Sequence, residues 1–370
     1  MIRVLSVFGT RPEAIKMAPV VHALRNSPQQ FESIVCVSAQ HRAMLDQVLG
    51  VFGLQADYDL DLMTAGQSPA DVTARVLQRL PPLLQQIRPD VLLVQGDTMT
   101  TFAAAFAAYL ERIPSGHVEA GLRTGDRYQP FPEEMNRVMT SRLASIHFAP
   151  TQQARAALLK EGVPASDVHL TGNTVIDALL QTVREDYTFR APQLASLDPR
   201  RRLILVTTHR RESFGAPLQA TCAAIRDLAQ RFPDLQFVLP VHPNPEVKQT
   251  VERLLCDLPG MYLIAPVDYL EFVHLMNRSY LVLTDSGGVQ EEAPSLGKPV
   301  LVLREVTERP EGVEAGTAVL VGTDRERIVQ VASELLSSRT AYQRMANAVN
   351  PYGDGKASGR IVSALAERFA

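Results

Sequence analysis

The sequence has little of what marks a secreted, membrane-bound or nucleic-acid-binding protein. Its three cysteines, Cys36, Cys222 and Cys256, lie far apart among apolar neighbours, which favours buried thiols over a disulfide or zinc framework. The formal net charge of −3 provides no basic face for nucleic acid. Thr98–Leu110, the longest strongly apolar segment, is too short to cross a bilayer, and Met1–Phe8 lacks the features of a signal peptide. We therefore expect a soluble cytoplasmic protein with no membrane or nucleic-acid partner.

Several cofactor signatures are also missing. No G-x-G-x-x-G follows a strand pattern, and neither a Walker A motif nor H-E-x-x-H occurs. The sequence thus indicates neither NAD, nor ATP-type phosphoryl transfer, nor a zincin site. We expect an activity that needs no cofactor and no metal.

What the sequence does have is an alternation of short apolar runs with helical patterns over 370 residues. Nearly continuous apolar runs are typical of parallel strands that are covered on both faces. The alternation predicts an α/β fold, and the length fits two domains. The predicted strands are Arg3–Phe8, Ser33–Ser38, Val91–Gln95, Gly116–Glu119, His147–Ala149, Val168–Thr171, Leu203–Thr207, Gln236–Val241, Met261–Ile264, Tyr280–Thr284, Val300–Leu303 and Ala318–Val321.

The domain boundary is predicted in the irregular stretch after the sixth strand. We place an N-terminal α/β domain at residues 1–172 and a C-terminal α/β domain at 173–352. Residues 353–370 are expected to form a helix that packs back on the N-terminal domain. Ligands of such domains bind at the carboxyl ends of the strands, here in the cleft between the two domains.

The segment Thr284–Ala293 (TDSGGVQEEA) turns from a predicted strand through two glycines into a helix. Free N–H groups at such a turn attract an anion, and glycine lets a phosphate approach the backbone. Glu292, one turn later, suits the hydroxyls of a ribose. Diphosphate and ribose together indicate a nucleotide, although an ordinary α/β turn with solvated acids is an equal alternative.

Polar residues also follow the strands of the first half. Three carboxylates, Asp97, Glu119 and Glu133, come at or after strand ends and are candidates for general acid and base roles. Each alone could instead be a helix cap or a first-turn acid, but the trio favours function. Arg11 and Lys16 follow the first strand, where cations can hold a phosphate.

The second half has cations at comparable places. His209 follows its first predicted strand, and Arg309 lies in the segment TERPE. Recognition of a phosphate, or stabilisation of a leaving group, is the natural use of such residues.

These motifs together resemble the bacterial non-hydrolysing UDP-N-acetylglucosamine 2-epimerases. The matching segments are colinear and cover essentially the whole chain. They are FGTRPEAIKMAP, AQHR, QGDTMTT, HVEAGLRTGD, PFPEEMNR, TGNTVIDAL, THRRESFG, TDSGGVQEEAPSLGKPVLVLRE, TERPEGV and NPYGDG.

The resemblance implies two Rossmann-like domains in a glycosyltransferase-B-like arrangement and a homodimer. It also implies interconversion of UDP-GlcNAc and UDP-ManNAc without NAD or metal, for the synthesis of surface polysaccharides. Elimination of UDP to 2-acetamidoglucal, followed by re-addition, is the route that fits carboxylates around C2 and cations around a diphosphate.

By this resemblance the catalytic residues are Asp97, Glu119, Glu133 and His209. The residues implied to bind UDP are Arg11, Lys16, Phe272, Ser286, Gly287, Gly288, Glu292 and Arg309. Phe272 is implied to flank the uracil and Glu292 to bind the ribose. The chain departs from some relatives at Val267, where they have a glutamine.

Many relatives also bind a second UDP-GlcNAc as an allosteric activator. The residues implied here are Gln40, His41, Gln67, Arg210 and His242, although Gln40 and His41 could simply cap a helix. Three other functions remain open from the sequence. They are a glycosyltransferase of the same fold, a hydrolysing epimerase that releases ManNAc and UDP, and a catalytically silent nucleotide-sugar sensor.

Overall fold

The computed structural model describes residues 1–38, 42–64, 66–210 and 213–369. The chain divides into two compact units, Met1–Gln181 with Tyr352–Ala370, and Thr182–Pro351. Each unit is built on one parallel sheet with helices in the connections, so the predicted α/β class is confirmed. None of the helices in the described residues is long and apolar enough to cross a membrane.

The first unit contains a seven-stranded parallel sheet in the order β3-β2-β1-β4-β5-β6-β7. Its strands are β1 (Ile2–Phe8), β2 (Phe31–Val37), β3 (Tyr58–Asp59), β4 (Val91–Gln95), β5 (Ser115–Val118), β6 (Ile146–Ala149) and β7 (Val168–Leu170). Its helices are α1 (Arg11–Arg25), α2 (Arg42–Val51), α3 (Pro69–Ile87), α4 (Met99–Leu110), α5 (Glu133–Leu143), α6 (Gln152–Lys160), α7 (Thr174–Thr182) and the C-terminal α16 (Ala357–Phe369).

The second unit contains a six-stranded parallel sheet in the order β10-β9-β8-β11-β12-β13. Its strands are β8 (Arg202–Thr207), β9 (Leu235–Pro240), β10 (Met261–Ile264), β11 (Leu281–Thr284), β12 (Val300–Val302) and β13 (Ala318–Leu320). Its helices are α8 (Pro192–Ala195), α9 (Ala216–Arg231), α10 (Pro245–Leu255), α11 (Tyr269–Arg278), α12 (Gly287–Glu292), α13 (Pro310–Glu314), α14 (Arg325–Ser337) and α15 (Arg339–Ala346).

The order of the strands decides where each unit can bind a ligand. In the first sheet the chain runs outward from β1 to β3 and then returns to place β4 on the other side of β1. The turns after β1 and β4 therefore diverge and leave a crevice at the carboxyl ends, the topological switch point of an open α/β sheet. In the second sheet the same point lies between β8 and β11, whose ends pair Thr207 with Thr284.

The C-terminal helix belongs to the first unit. The carboxylate of Asp177 in α7 accepts hydrogen bonds from the N–H groups of Ala357 (3.1 Å) and Ser358 (2.8 Å) at the start of α16. The same helix packs against α1. Because α7 is bound to α16 in this way, the first unit contains the chain up to Gln181 and again from Tyr352 onward. The sequence placed these boundaries at residues 172 and 353.

Candidate active site

A buried carboxylate joins the two turns at the switch point of the first unit. Glu13 in α1 accepts hydrogen bonds from the N–H groups of Gly9 (3.0 Å) and Thr10 (2.7 Å) after β1. It also accepts from the hydroxyls of Thr98 (2.7 Å) and Thr101 (3.1 Å) after β4. Burial raises the pKa of Glu13 despite these donors. Glu13 was not predicted as a site residue from the sequence, although its capping box with Thr10 is a local signal.

Glu119 follows β5 with a backbone conformation that is uncommon for a residue with a side chain. Its φ is 65°, in the left-handed region, and such local strain is frequent at functional sites. The side chain is buried, and its carboxylate accepts a short contact from the ammonium of Lys16 and a 2.9 Å hydrogen bond from Asn173. The structure thus brings together one predicted catalytic acid and one predicted UDP-binding cation. The UDP contact of Lys16 stays a prediction.

Asp97, after β4, is held by helix α5. Arg137 donates from Nε (2.9 Å) and Nη2 (2.6 Å) to one carboxylate oxygen of Asp97, and Asn136 donates to its main-chain carbonyl (2.9 Å). Arg137 also contacts Glu134 (3.2 Å), whose carboxylate in turn accepts from the N–H of Thr124 (3.1 Å). The side chain of Asp97 keeps 26% of its exposure, so a substrate can reach it.

Two predicted site residues of the first unit occupy helix starts. Glu133 is the first residue of α5 and is partly buried, one turn before the residue that binds Asp97. Arg11 is the first residue of α1 and is exposed. The roles of both residues stay predictions.

The imidazole of His117 in β5 supports this edge of the sheet as a neutral group. It is fully buried, and its Nε2 donates to the carbonyl of Gly96 (2.7 Å) in the turn after β4. Burial lowers the pKa of His117 to about 3, and it lowers the pKa of the neighbouring strand residue His147 to about 4.

Because the pKa values of these two histidines are lowered in the folded protein, we expect the protein to lose stability in mild acid. Between the ordinary histidine pKa of 6.5 and the lowered values, the unfolded chain binds protons that the folded chain does not. The free energy of unfolding should therefore have its full value above pH 6.5. Below pH 6.5 it should decrease by up to about 1.4 kcal/mol per pH unit for each histidine. Urea denaturation from pH 7.5 to 5 measures this. A His117→Asn variant should show a shallower slope, and an unchanged slope would contradict the assignment to His117.

The switch point of the second unit is organised by another buried carboxylate. Asp285 follows β11 and has no solvent exposure. It accepts from the N–H groups of His209 (2.9 Å) and Arg210 (3.0 Å), from the hydroxyl of Ser213 (2.9 Å) and from Nδ1 of His209 (2.7 Å). The predicted catalytic His209 is thereby held at the end of β8. Asp285 lies within the predicted glycine-turn motif, but no role was predicted for it from the sequence.

The glycine turn after β11 lies against Arg309. A Cβ atom built at Gly287 would be 3.9 Å from the guanidinium of Arg309, whose Nε makes a short contact with the buried carboxylate of Glu291. Gly288 is close to both Ser286 and Glu292, since a Cβ there would lie 3.9 Å and 3.7 Å from their side-chain oxygens. Five residues predicted to bind UDP, Ser286, Gly287, Gly288, Glu292 and Arg309, thus lie close together. The helix that follows, α12, has only six residues.

Glu292 and Phe272 are linked through the start of α11. The hydroxyl of Tyr269, the first residue of that helix, donates to Glu292 (3.2 Å); Glu292 is buried and Tyr269 is partly buried. Burial and the adjacent carboxylate raise the pKa of Tyr269 well above its usual value. Phe272 lies three residues further in the same helix and is partly buried. Tyr269 was not singled out from the sequence.

The predicted allosteric residues are distributed over both units. Gln40 and His41 lie outside the described residues. Gln67, in the first unit, accepts from the hydroxyl of Thr64 (3.3 Å). In the second unit Arg210 makes two contacts with Glu308 (3.3 and 3.2 Å), while the ring of His242 lies 5.9 Å from that of Phe214. These contacts do not test the allosteric role.

The two units thus offer complementary chemistry. The first provides Asp97 and Glu119, each held by a cation, and the second provides a glycine turn with Arg309, Glu292 and an oriented histidine. Carboxylates that can accept or donate a proton suit a sugar carbon, whereas glycines, a guanidinium and an imidazole suit a diphosphate.

Two parallel-sheet α/β units of this kind define the glycosyltransferase-B-like class of folds. The solved glycotransferase of kitacinnamycin is only 13% identical but has a TM-score of 0.68 over 100% of this chain and 99% of its own, which bears on the fold alone. The family model of UDP-N-acetylglucosamine 2-epimerase matches residues 22–366.

Full-length relatives agree with that match. UDP-N-acetylglucosamine 2-epimerase of Yersinia pestis is 55% identical over 371 residues, covering 98% of each chain. The crystal structure of UDP-GlcNAc 2-epimerase from Neisseria meningitidis bound to UDP-GlcNAc is 47% identical, with a TM-score of 0.89 over 99% of this chain and 100% of that one. The chain belongs to the bacterial non-hydrolysing UDP-N-acetylglucosamine 2-epimerases, which are isomerases, and the resemblance drawn from its motifs is confirmed.

Proposed function

We propose that the protein interconverts UDP-GlcNAc and UDP-ManNAc by elimination and re-addition of UDP. The observation that carries this proposal is the pair of cation-bound carboxylates, Asp97 and Glu119, at the strand ends of one unit that also presents Glu133. The related Neisseria meningitidis enzyme is bound to UDP-GlcNAc, which supports the same nucleotide sugar as substrate here.

The chemistry follows from the substrate. The proton at C2 has no ring carbonyl beside it, so a carboxylate removes it as the C1–oxygen bond to UDP breaks. The electrons of the C–H bond form the C1–C2 double bond of 2-acetamidoglucal, and UDP leaves with the electrons of the C–O bond. Re-addition of a UDP oxygen to C1, with delivery of a proton to the other face of C2, inverts that carbon. Among Asp97, Glu119 and Glu133 the faces remain unassigned.

The second unit is proposed to bind the UDP moiety. Arg309 lies beside Gly287 and supplies positive charge next to a backbone that a phosphate can approach closely. Ser286 and Gly288 flank the same turn, and Glu292, held by Tyr269, is directed to the ribose. Phe272 flanks the uracil, and His209 assists at the diphosphate as it leaves. Arg11 and Lys16 contribute cations from the first unit.

The biological setting is also a proposal. The protein acts as a homodimer in the cytoplasm, needs no cofactor or metal, and supplies UDP-ManNAc for surface polysaccharide synthesis. A second UDP-GlcNAc binds as an activator near Gln67, Arg210 and His242, together with Gln40 and His41. A rate that rises sigmoidally with UDP-GlcNAc, and becomes hyperbolic in a Gln67→Ala variant, would support this activator site.

Proton NMR in D2O tests the reaction itself. Purified protein with UDP-GlcNAc and no added NAD or metal should produce UDP-ManNAc with deuterium at C2. Because the C2 proton is lost in every turnover, product that retains protium at C2 would contradict the elimination. Accumulation of free ManNAc with stoichiometric UDP would indicate the hydrolysing reaction. Bound but unchanged UDP-GlcNAc would exclude an epimerase and leave a transferase or a sensor.

A further inference from the structure

The environment of Asp285 determines more than the local fold of the second unit. Its two carboxylate oxygens receive two main-chain N–H groups, one hydroxyl and the Nδ1 of His209, and it has no contact with solvent. Burial by itself raises the pKa of Asp285, but the hydrogen bonds from His209 and Arg210 outweigh it, so the pKa lies below its ordinary value. The group is therefore an anion that accepts and does not donate.

This anion decides which nitrogen of His209 is available to a ligand. A carboxylate at 2.7 Å requires a proton on Nδ1, since two acceptors cannot form that contact. Nε2 lies on the opposite side of the five-membered ring and is the only nitrogen left for another partner. The side chain of His209 is 50% exposed, whereas Asp285 is completely buried, so Nε2 is on the accessible side.

We propose that Asp285 is a positioning residue for His209. It holds the imidazole with Nδ1 protonated and presents Nε2 to the diphosphate of the nucleotide sugar. The inference rests on the proposed function for the role of His209, but the orientation of the ring can be tested without turnover. Asp285 itself does not touch the substrate, and Ser213 and Arg210 keep its carboxylate in place through the 2.9 Å and 3.0 Å hydrogen bonds.

The chain contains a close structural counterpart of Asp285 that lacks the histidine. Asp177 in the first unit is also buried and also accepts two main-chain N–H groups, from Ala357 (3.1 Å) and Ser358 (2.8 Å), and one hydroxyl, from Ser358 (2.6 Å). Asp177→Asn therefore reproduces the loss of a buried, backbone-binding carboxylate without disturbing an imidazole. This variant is the matched control for Asp285→Asn.

The kinetic test is a double-mutant cycle with UDP-GlcNAc. Asp285→Asn should lower kcat by about 10- to 1,000-fold with little change in KM, because a misoriented histidine loses most of an acid–base contribution of about 10²–10⁴-fold. The double variant Asp285→Asn/His209→Gln should be no slower than His209→Gln alone, since Asp285 acts through His209. Losses that multiply would overturn the proposal. A loss of kcat in Asp177→Asn as large as that in Asp285→Asn would also overturn it.

The spectroscopic test is 15N NMR of the histidine rings in the full-length protein. The sequence has eight histidines, and the His209 signals are those missing from the His209→Gln spectrum. In the unsubstituted protein Nδ1 of His209 should carry the proton, and Asp285→Asn should shift or broaden these signals. An unprotonated Nδ1 of His209 in the unsubstituted protein would overturn the proposal. If UDP-GlcNAc is not converted at all, the proposed function fails while this readout of the ring still stands.

Discussion

Glu119→Gln should lower kcat for UDP-GlcNAc epimerisation by about 10²–10⁴-fold, the usual contribution of a general acid or base. The amide is nearly the same size as the carboxylate and can still accept a hydrogen bond from Lys16 and Asn173, but it cannot take a proton from C2. Because the change affects the chemical step, KM should change little. Initial rates over a range of UDP-GlcNAc concentrations measure both constants.

The control for this variant is Glu161→Gln. Glu161 is also ion-paired, with Arg123 at 2.7 Å, and lies in the same unit, but it is not among the proposed site residues. It should retain kcat to within about twofold. A Glu119→Gln enzyme as active as this control would remove Glu119 from the acid–base set. Deuterium exchange at C2 in Glu119→Gln, started separately from UDP-GlcNAc and from UDP-ManNAc, would show which face Glu119 serves.

The second large effect is expected from Lys16→Met. This change leaves the carboxylate of Glu119, only 7% exposed at its side chain, without its ammonium partner. Breaking a buried ion pair in this way costs about 3–5 kcal/mol. We therefore expect a clear fall in the urea midpoint together with a loss of kcat, since the carboxylate of Glu119 would lose the contact with Lys16 that helps to hold it in place.

The double variant Lys16→Met/Glu119→Gln separates the two effects. It removes the buried charge and should regain most of the stability, yet it should remain largely inactive because residue 119 can no longer exchange a proton at C2. Arg25→Met, which breaks the exposed 3.6 Å pair with Asp57, is the control and should change stability by about 0–1 kcal/mol. A Lys16→Met protein that is as stable as the unsubstituted protein would contradict a structural role for this pair.

The strands were the part of the fold that the sequence predicted best. Val91–Gln95 and Met261–Ile264 have the predicted bounds, because a parallel strand covered on both faces is a nearly continuous apolar run. The two-residue strand Tyr58–Asp59 was not predicted, since it is too short to show any periodicity. The extent of the first unit also differed, because the hydrogen bonds that Asp177 accepts from α16 join residues separated by 180 positions.

The sequence predicted which residues belong to the candidate site better than it predicted which of them contact each other. Motifs at strand ends identified Asp97, Glu119 and the glycine turn, since residues at those positions must lie at one edge of a parallel sheet. Arg137, Tyr269 and Glu13 were not assigned. Each acts by binding a residue on another element, and a local pattern does not show which distant residue a side chain will meet.

The α/β class, the family and the strand-end residues could be predicted from the amino-acid sequence, because these depend on local apolar periodicity and on short motifs. The pairing of Lys16 with Glu119, across 103 residues, and of Asp285 with His209, across 76 residues, became visible only in the folded structure. Both pairs lie near the points where the strand order reverses, with β4 beside β1 and β11 beside β8. Their partners are set by the order of strands in the sheet, which is a property of the folded chain and not of any one segment.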